Sequence, residues 1–172
     1  QMSNASRRGA LTITEPNAGS DVQAIETVAS LEDKHYVVNG SKLFVSNGRR
    51  GGIFAMAVKT DPNTKPRYKG ISCLLVEPEF EGFNVTRDIE KLGYKGIEAA
   101  ELSIDNMRVP QENLLGGEEG QGFFQVLSGV EVGRVNTAAR AVGVARAAFE
   151  ASIKYAQQRK AFGKQIGDHQ AI

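Results

Sequence analysis

The sequence lacks the features that mark a disulfide-stabilised, metal-binding or membrane-spanning protein. Only one of its 172 residues, Cys73, is a cysteine. An internal disulfide and a cysteine-based metal cluster are therefore excluded, and no metal site is predicted. Cys73 lies inside the apolar run 71–76, where we expect it to be a small core residue. No apolar stretch approaches the roughly 18 residues that a membrane span requires.

An excess of charge of one sign is also missing. The chain has 21 Lys and Arg against 20 Asp and Glu, which gives a formal net charge of +1. A balance this close indicates no bulk attraction to nucleic acid or to anionic membranes. Hydrophobic residues make up 41% and charged residues 24%, which is typical of a globular chain with a core and an ordinary surface.

Strand patterns occupy the chain from residue 11 to about residue 110. Apolar runs at 53–58, 71–76, 83–89 and 100–104 alternate with turn-forming residues. Asn39-Gly40, between two further runs, favours a tight hairpin. The spacing predicts a small antiparallel β-barrel or sandwich. We assign it to residues 11–118, and we expect residues 1–10 to be disordered or a cloning remnant.

A helical pattern follows Pro110. Glycines crowd residues 116–122, and apolar residues then recur at steps of three and four, which predicts one long helix over 123–158 and a turn into another at 161–167. We assign 119–172 to the first part of a helical domain, an incomplete four-helix bundle, and the chain to the α+β class. A helix of about 50 Å is too long for the β-domain to cover. The chain is therefore expected to be a fragment, or to be buried only in an oligomer.

The segment TITEPNAGSDVQ, residues 12–23, ends a β-branched run in a loop of small residues. Such a loop lets backbone amides approach a flat ring or a phosphate closely. The residues alone also allow an ordinary turn at the end of a strand.

Five colinear segments give the chain a resemblance to the acyl-CoA dehydrogenases, a family of FAD enzymes. They are TEPNAGSDV at 14–22, VNGSKLFVSNG at 38–48, EKLGYKG at 90–96, VPQENLLGGEEGQGF at 109–123, and the whole of 133–172. One such motif is weak evidence, but five in the same order are specific. The resemblance implies α,β-dehydrogenation of acyl-CoA thioesters, with electron-transfer flavoprotein as acceptor. It also implies a homodimer or homotetramer in the bacterial cytoplasm or the mitochondrial matrix.

The resemblance further implies which residues bind ligands. Phe44 and Ser46 stand where the family usually has Trp and Thr, so an aromatic face and a hydroxyl are kept. The implied FAD-binding residues are Leu11, Ile13, Thr14, Gly19, Ser20, Phe44, Val45, Ser46, Arg159, Phe162, His169 and Gln170, the last four reaching the FAD of another subunit. The implied substrate-binding residues are Ser20, Glu131 and Arg134.

Simpler interpretations of some of these residues stay open. Phe44 also suits a strand core, Arg159 suits a solvated cation at a helix end, and Glu131 with Arg134 suits an ion pair across one helical turn.

No catalytic base is expected within these residues. Most members of the family carry the glutamate that removes the α-proton C-terminal to the point matched by Ile172, and a minority carry it at the position of Gly133. The chain as given is therefore expected to be inactive, although its parent protein should be an enzyme. Two alternatives remain: an acyl-CoA oxidase or flavin monooxygenase on the same scaffold, and a non-enzymatic β-domain with a helical dimerisation arm.

Overall fold

The computed structural model describes Asn4 and residues 6–170. The chain divides into two compact units, the first ending at Gly129 and the second beginning at Val130. The division between the units falls within the long helix. It does not test the domain boundary predicted between residues 118 and 119, which stays a prediction.

The first unit is built on one seven-stranded mixed sheet that curls into a half-barrel. The sheet order is β1-β4-β2-β3-β7-β6, and β5 pairs with the other edge of β4. The strands are β1 Gly9–Thr12, β2 Val28–Glu32, β3 His35–Ser46, β4 Ile53–Lys59, β5 Ile71–Val76, β6 Phe83–Asp88 and β7 Ala99–Pro110. The α+β class is confirmed. The sheet is not purely antiparallel, however, because β4 pairs in parallel with both β1 and β2.

The tight hairpin predicted at Asn39-Gly40 is wrong. Both residues lie inside β3, a continuous strand of 12 residues. The two-residue turn falls instead at Asp33 and Lys34, with φ of 46° and 66°, between β2 and β3. Gly40 serves another purpose: a Cβ there would lie 2.4 Å from the Thr27 Oγ1 atom. The glycine allows a close approach of two chain segments, and the pairing of β3 with β7 is irregular beside it.

The start of the chain is more ordered than predicted, since β1 begins at Gly9, within the segment expected to be disordered. The guanidinium of Arg7 also forms an ion pair with Glu77, at 2.7 Å. Residues 1–3 and 5, which belong to the same predicted segment, lie outside the described residues.

Two apolar clusters cover opposite faces of the central strands. In β4, Phe54, Met56 and Val58 belong to the larger cluster, whereas the alternate residue Ala57 belongs to the smaller one. Cys73 is buried in the smaller cluster, as predicted. Alternation of this kind follows from the two-residue period of a strand. Because both faces are covered, the central strands are held in place, and they position the loops at their ends.

The long helix α1 spans Gly122–Ala156, close to the predicted 123–158. Its first two turns or so, residues 122–129, belong to the first unit, where Gly122 and Val126 are buried. The helix in the second unit is largely exposed and is followed by a short hairpin, β8 Lys160–Ala161 and β9 Lys164–Gln165. A 3-10 turn at Ile166–Asp168 comes next. The further helix predicted after it stays a prediction, since residues 171 and 172 lie outside the described residues.

No helix in the described part of the chain combines the length and the apolarity needed to cross a bilayer.

Candidate functional site

The loop that follows β1 is a narrow turn with an open outer side. Two backbone hydrogen bonds join Glu15 and Ala18, at 2.9 and 3.2 Å, so that Pro16 and Asn17 form its tip. Ala18 is buried, whereas Gly19 and Ser20 are exposed. A Cβ placed on Gly19 would have no atom within 4 Å. The loop therefore offers free space at Gly19 and Ser20, which is the condition that a ligand approaching its backbone requires.

Leu11, the first residue of the predicted set, is 38% exposed. It lines a shallow, mainly apolar groove of about 300 Å³ beside β1, β4 and β5. This position is compatible with contact to a ligand, while Thr12, the next residue, is fully buried and its hydroxyl donates to the carbonyl of Ala55.

A buried ion pair anchors the loop to the sheet, and no local sequence pattern predicts it. The ammonium of Lys42 lies 2.7 Å from the carboxylate of Glu15, and the two residues are 0% and 4% exposed. The same carboxylate accepts hydrogen bonds from the Thr27 hydroxyl, at 2.6 Å, and from the amides of Glu26 and Thr27. Glu15 thus joins the loop to the start of β2 as well as to β3.

The contacts of Lys42 indicate that it is protonated. Its Nζ atom lies 2.7 Å from Glu15 Oε1, 2.6 Å from the Ala57 carbonyl and 3.3 Å from the Ile13 carbonyl. An amine nitrogen can serve three acceptors at once only as an ammonium, which has three N–H donors. Burial lowers the pKa of Lys42, and the Glu15 carboxylate opposes that effect.

Glu15 is held in its ionised form by its neighbours. Burial by itself favours the neutral acid, but the charge and hydrogen bond of Lys42 and the donors from Thr27 and Glu26 outweigh it. Together they lower the pKa of Glu15 below its ordinary value. The pair therefore consists of two charges whose hydrogen bonds are satisfied away from water.

Phe44 is the most unusual residue of β3. Its φ is 56°, in the left-handed region that bulky residues rarely adopt, and its ring is 59% exposed. It lies in an irregular part of the β3–β7 pairing, where Lys42 pairs with Leu102 and Val45 pairs with Ala100. Strained, exposed residues of this kind are found preferentially at functional sites. The exposure of Phe44 argues against the alternative interpretation that it is a strand-core residue.

The structure brings two of the predicted segments together. The amide of Leu43 donates to the carbonyl of Thr14 at 2.8 Å, so the loop 13–20 runs directly beside the Phe44 segment. Ile13 and Thr14 are partly exposed and Ser46 is exposed. Val45 is 2% exposed and packs in the larger apolar cluster. Any contact of Val45 with a cofactor would therefore have to use its main chain.

The remaining predicted residues lie in the second unit. Phe162 is 96% exposed with φ of 52°, and its ring meets that of His169 edge-on, with 6.1 Å between centroids. His169 also bonds to the Ala161 carbonyl through Nε2, at 3.2 Å. The carbonyl of Arg159 accepts the amide of Ile166. Arg159, Phe162 and His169 are thus grouped on the β8–β9 hairpin, and Gln170 follows.

Glu131 and Arg134 are exposed on α1. In the part of the chain that the structure describes, no ion pair joins their side chains. Gly133 lies between them in open space. A group of three or more side chains able to hold a metal ion is likewise absent among the described residues.

Comparison with known proteins identifies the family. The acyl-CoA dehydrogenase middle domain matches residues 10–107, and the acyl-CoA dehydrogenase C-terminal domain matches residues 120–172. The chain belongs to the acyl-CoA dehydrogenase family. The resemblance inferred from the five motifs is confirmed.

Several relatives of this family are closely similar to the chain. A short-chain-specific acyl-CoA dehydrogenase of Clostridium acetobutylicum is 42% identical over 95% of this chain and 42% of its own length. An acryloyl-CoA reductase (NADH) of Anaerotignum propionicum is 41% identical over 95% of this chain and 41% of its own length. The chain therefore spans about two-fifths of the length of the relatives that it matches.

Solved structures of the family share this fold. An acyl-CoA dehydrogenase from Geobacillus kaustophilus superposes with a TM-score of 0.90, at 40% identity, and covers 94% of this chain and 42% of its own. An acyl-CoA dehydrogenase from Bacillus anthracis, solved in complex with FAD, superposes with a TM-score of 0.85 at 32% identity. That match covers 93% of this chain and 26% of the other.

Proposed function

We propose that the chain is the FAD-binding middle part, with the first helix of the C-terminal part, of an enzyme that dehydrogenates acyl-CoA thioesters between the α and β carbons. The observation that carries this proposal is the junction of two predicted segments. The hydrogen bond from Leu43 to Thr14 sets the open loop 13–20 against an exposed aromatic residue, Phe44. Membership of the family and the FAD complex of one relative support the same cofactor.

The exposed residues of the first unit fit a flavin. Free space at Gly19 would let a ring or a phosphate approach the backbone, and Phe44 offers an apolar aromatic face. We assign the main chain of Ile13, with Thr14, to the polar edge of the ring and the hydroxyl of Ser46 to its reactive edge. Ser20 is assigned to the phosphates of coenzyme A.

The second unit would supply contacts to a neighbouring subunit. Arg159, Phe162, His169 and Gln170 are assigned to the FAD of that subunit, where the guanidinium of Arg159 suits a pyrophosphate because it can bind two oxygens at once. Glu131 and Arg134 are assigned to the substrate, with Glu131 toward the adenine end of coenzyme A.

The chemistry divides between cofactor and protein. When bound, FAD supplies the acceptor for the hydride that leaves the β-carbon. The protein must polarise the thioester carbonyl and remove the α-proton. Residue 133 is a glycine and cannot accept a proton, so we propose that the base lies outside these residues. Electron-transfer flavoprotein is the proposed oxidant of the reduced flavin. The full-length protein is proposed to be a homo-oligomer of the bacterial cytoplasm or the mitochondrial matrix.

Anaerobic titration of the full-length, FAD-loaded protein with acyl-CoA thioesters tests this function. We expect the flavin absorbance to bleach with a saturated acyl-CoA and to return slowly in air. Rapid release of peroxide would favour an oxidase instead. Because one relative is named as a reductase, a short enoyl-CoA with NADH should be tested as well. An absence of bleaching with every thioester would contradict the proposal.

Variants of two exposed apolar residues test the location of the cofactor. Phe44→Asp should weaken FAD binding by at least about tenfold, whereas Phe44→Trp should retain it. Leu31→Asp is the matched control, because Leu31 is also an exposed apolar residue of the same sheet. Equal losses in Phe44→Asp and Leu31→Asp would contradict the assignment of Phe44.

A further inference from the structure

We propose that the buried Lys42–Glu15 pair is a positioning pair that fixes the loop 13–20 against the Phe44 segment and so sets the shape of the flavin site. The inference rests on the proposed function of that site. It adds two buried residues that none of the motif assignments above includes.

Lys42 contacts the loop directly. Its ammonium donates to the carbonyl of Ile13 and to the carboxylate of Glu15, two loop positions that flank Thr14. Its third bond goes to the carbonyl of Ala57 in β4. One side chain therefore holds the main chain before Thr14, at Ile13, and the side chain after it, at Glu15, relative to two strands of the sheet.

Lys42 also lies two residues before Phe44 in β3. Between the pairs Lys42–Leu102 and Val45–Ala100, β3 contains two intervening residues and β7 contains one. Phe44 therefore lies on the bulged side of the ladder. Its place is determined by the two anchored neighbours, Lys42 before it and the buried Val45 after it. A shift of Lys42 would move Phe44 and the loop together.

A role in stability alone would not require charge at this place. Buried ion pairs can often be replaced by packed apolar residues without loss of stability, because desolvation of the charges is costly. The pair makes directional hydrogen bonds, which packed apolar residues cannot make. Glu15 accepts from Lys42, Thr27 and Glu26, and Lys42 donates to three acceptors, so both groups are held at defined angles.

The test separates positioning from stability in the full-length protein. Lys42→Met leaves Glu15 as a buried unpaired charge and is expected to impair both folding and FAD binding. The double variant Lys42→Met with Glu15→Leu removes that charge, so its thermal unfolding midpoint should return toward that of the unsubstituted protein. Lys59→Met is the matched control, a lysine of the same sheet outside the pair.

The deciding readouts are the affinity of the apoprotein for FAD and the visible absorption band of the bound flavin. In the refolded double variant we expect the FAD dissociation constant to rise at least about tenfold and the band to shift, while Lys59→Met leaves both unchanged. A double variant with the affinity and spectrum of the unsubstituted protein would overturn the proposal. If the double variant does not fold, Glu15→Gln takes its place, because the amide loses the charge and one of the two oxygens that accept from Lys42, Thr27 and Glu26. The FAD dissociation constant should then rise and the band should shift, and an unchanged affinity and spectrum would overturn the proposal. If the unsubstituted protein itself binds no FAD, the proposed function fails first.

Discussion

Lys42 and Glu15 show how strongly a single pair of residues can depend on the surrounding fold. Each is among the residue types that are rarely buried without a partner, and each finds its partners on several different segments. Glu15 bonds to β3 and to the start of β2, and Lys42 bonds to β4 and to the loop. The exposed, strained Phe44 lies two residues away from this network.

The acid sensitivity of the chain is predicted to depend on Glu15. Its folded-state pKa lies below the ordinary value of 4.5, so its contribution to stability is present above about that pH and is lost as the pH falls through the lower, folded-state pKa. Glu15→Gln should therefore lower stability near neutral pH and flatten its decline in acid. Urea unfolding at a series of pH values measures this. The exposed Glu81→Gln is the control, and an identical acid decline in both variants would refute the prediction.

Gly40 is predicted to tolerate no side chain. A Cβ there would lie 2.4 Å from Thr27 Oγ1 and 2.7 Å from Thr27 Cα, and the Thr27 hydroxyl is already committed to Glu15. Gly40→Ala should therefore cost about 1–3 kcal/mol of unfolding free energy. Denaturant unfolding measures the change. Gly93→Ala is the control, since no atom lies within 4 Å of its added Cβ. Equal effects would show that close contact with Thr27 does not matter.

At the scale of elements, the long helix and most of the strands could be predicted from periodicity, but β2 and the turn between β2 and β3 could not. The run 71–76 is a strand with the predicted limits, and α1 lies close to the predicted 123–158. Asn39-Gly40 has the residues that a tight turn prefers, yet it lies within a strand. The turn occurs at Asp33-Lys34 because β2 and β3 pair in a register that places those two residues at the end of the ladder. Long-range pairing decided against local preference.

The turn between β2 and β3 offers a prediction of its own. Lys34 has φ of 66°, a conformation that costs a residue with a side chain more than it costs glycine. Lys34→Gly should therefore raise the unfolding free energy by up to about 1 kcal/mol. Glu32→Gly, one position before the turn in extended β2, should lower it. The two urea midpoints should move in opposite directions, and a shared direction would contradict the assigned turn.

At the scale of the whole molecule, the exposed apolar surface of α1 is the main unexplained feature of the chain by itself. Among its exposed apolar residues are Val135, Val142, Phe149 and Ile153, which recur at steps of seven and four. A continuous apolar stripe of this kind on a helix marks a surface that packs against something else. The stripe agrees with the expectation that the chain is a fragment, or is buried only in an oligomer. That expectation stays a prediction.

Phe149 is predicted to lie in a packed interface in the full-length protein. Phe149→Asp should lower the thermal unfolding midpoint and reduce the share of the largest assembly in sedimentation, because a charge would replace an apolar contact. Ala151→Asp is the control, since residue 151 lies about 200° around the helix from residue 149. No difference between the two variants would show that the stripe is not an interface.

The amino-acid sequence by itself determined the family, the long helix, most of the strands and the segments proposed for the candidate site, although β2 was not predicted and β3 was predicted as two runs. Those follow from local periodicity and from motifs such as TEPNAGSDV, which need no partner in space to be recognised. Tertiary structure alone decided that Lys42 is buried against Glu15, that Phe44 is exposed in a strained conformation and that β4 pairs in parallel with two strands. Each of these depends on contacts between residues far apart in the chain, and a local pattern carries no information on which distant groups will meet.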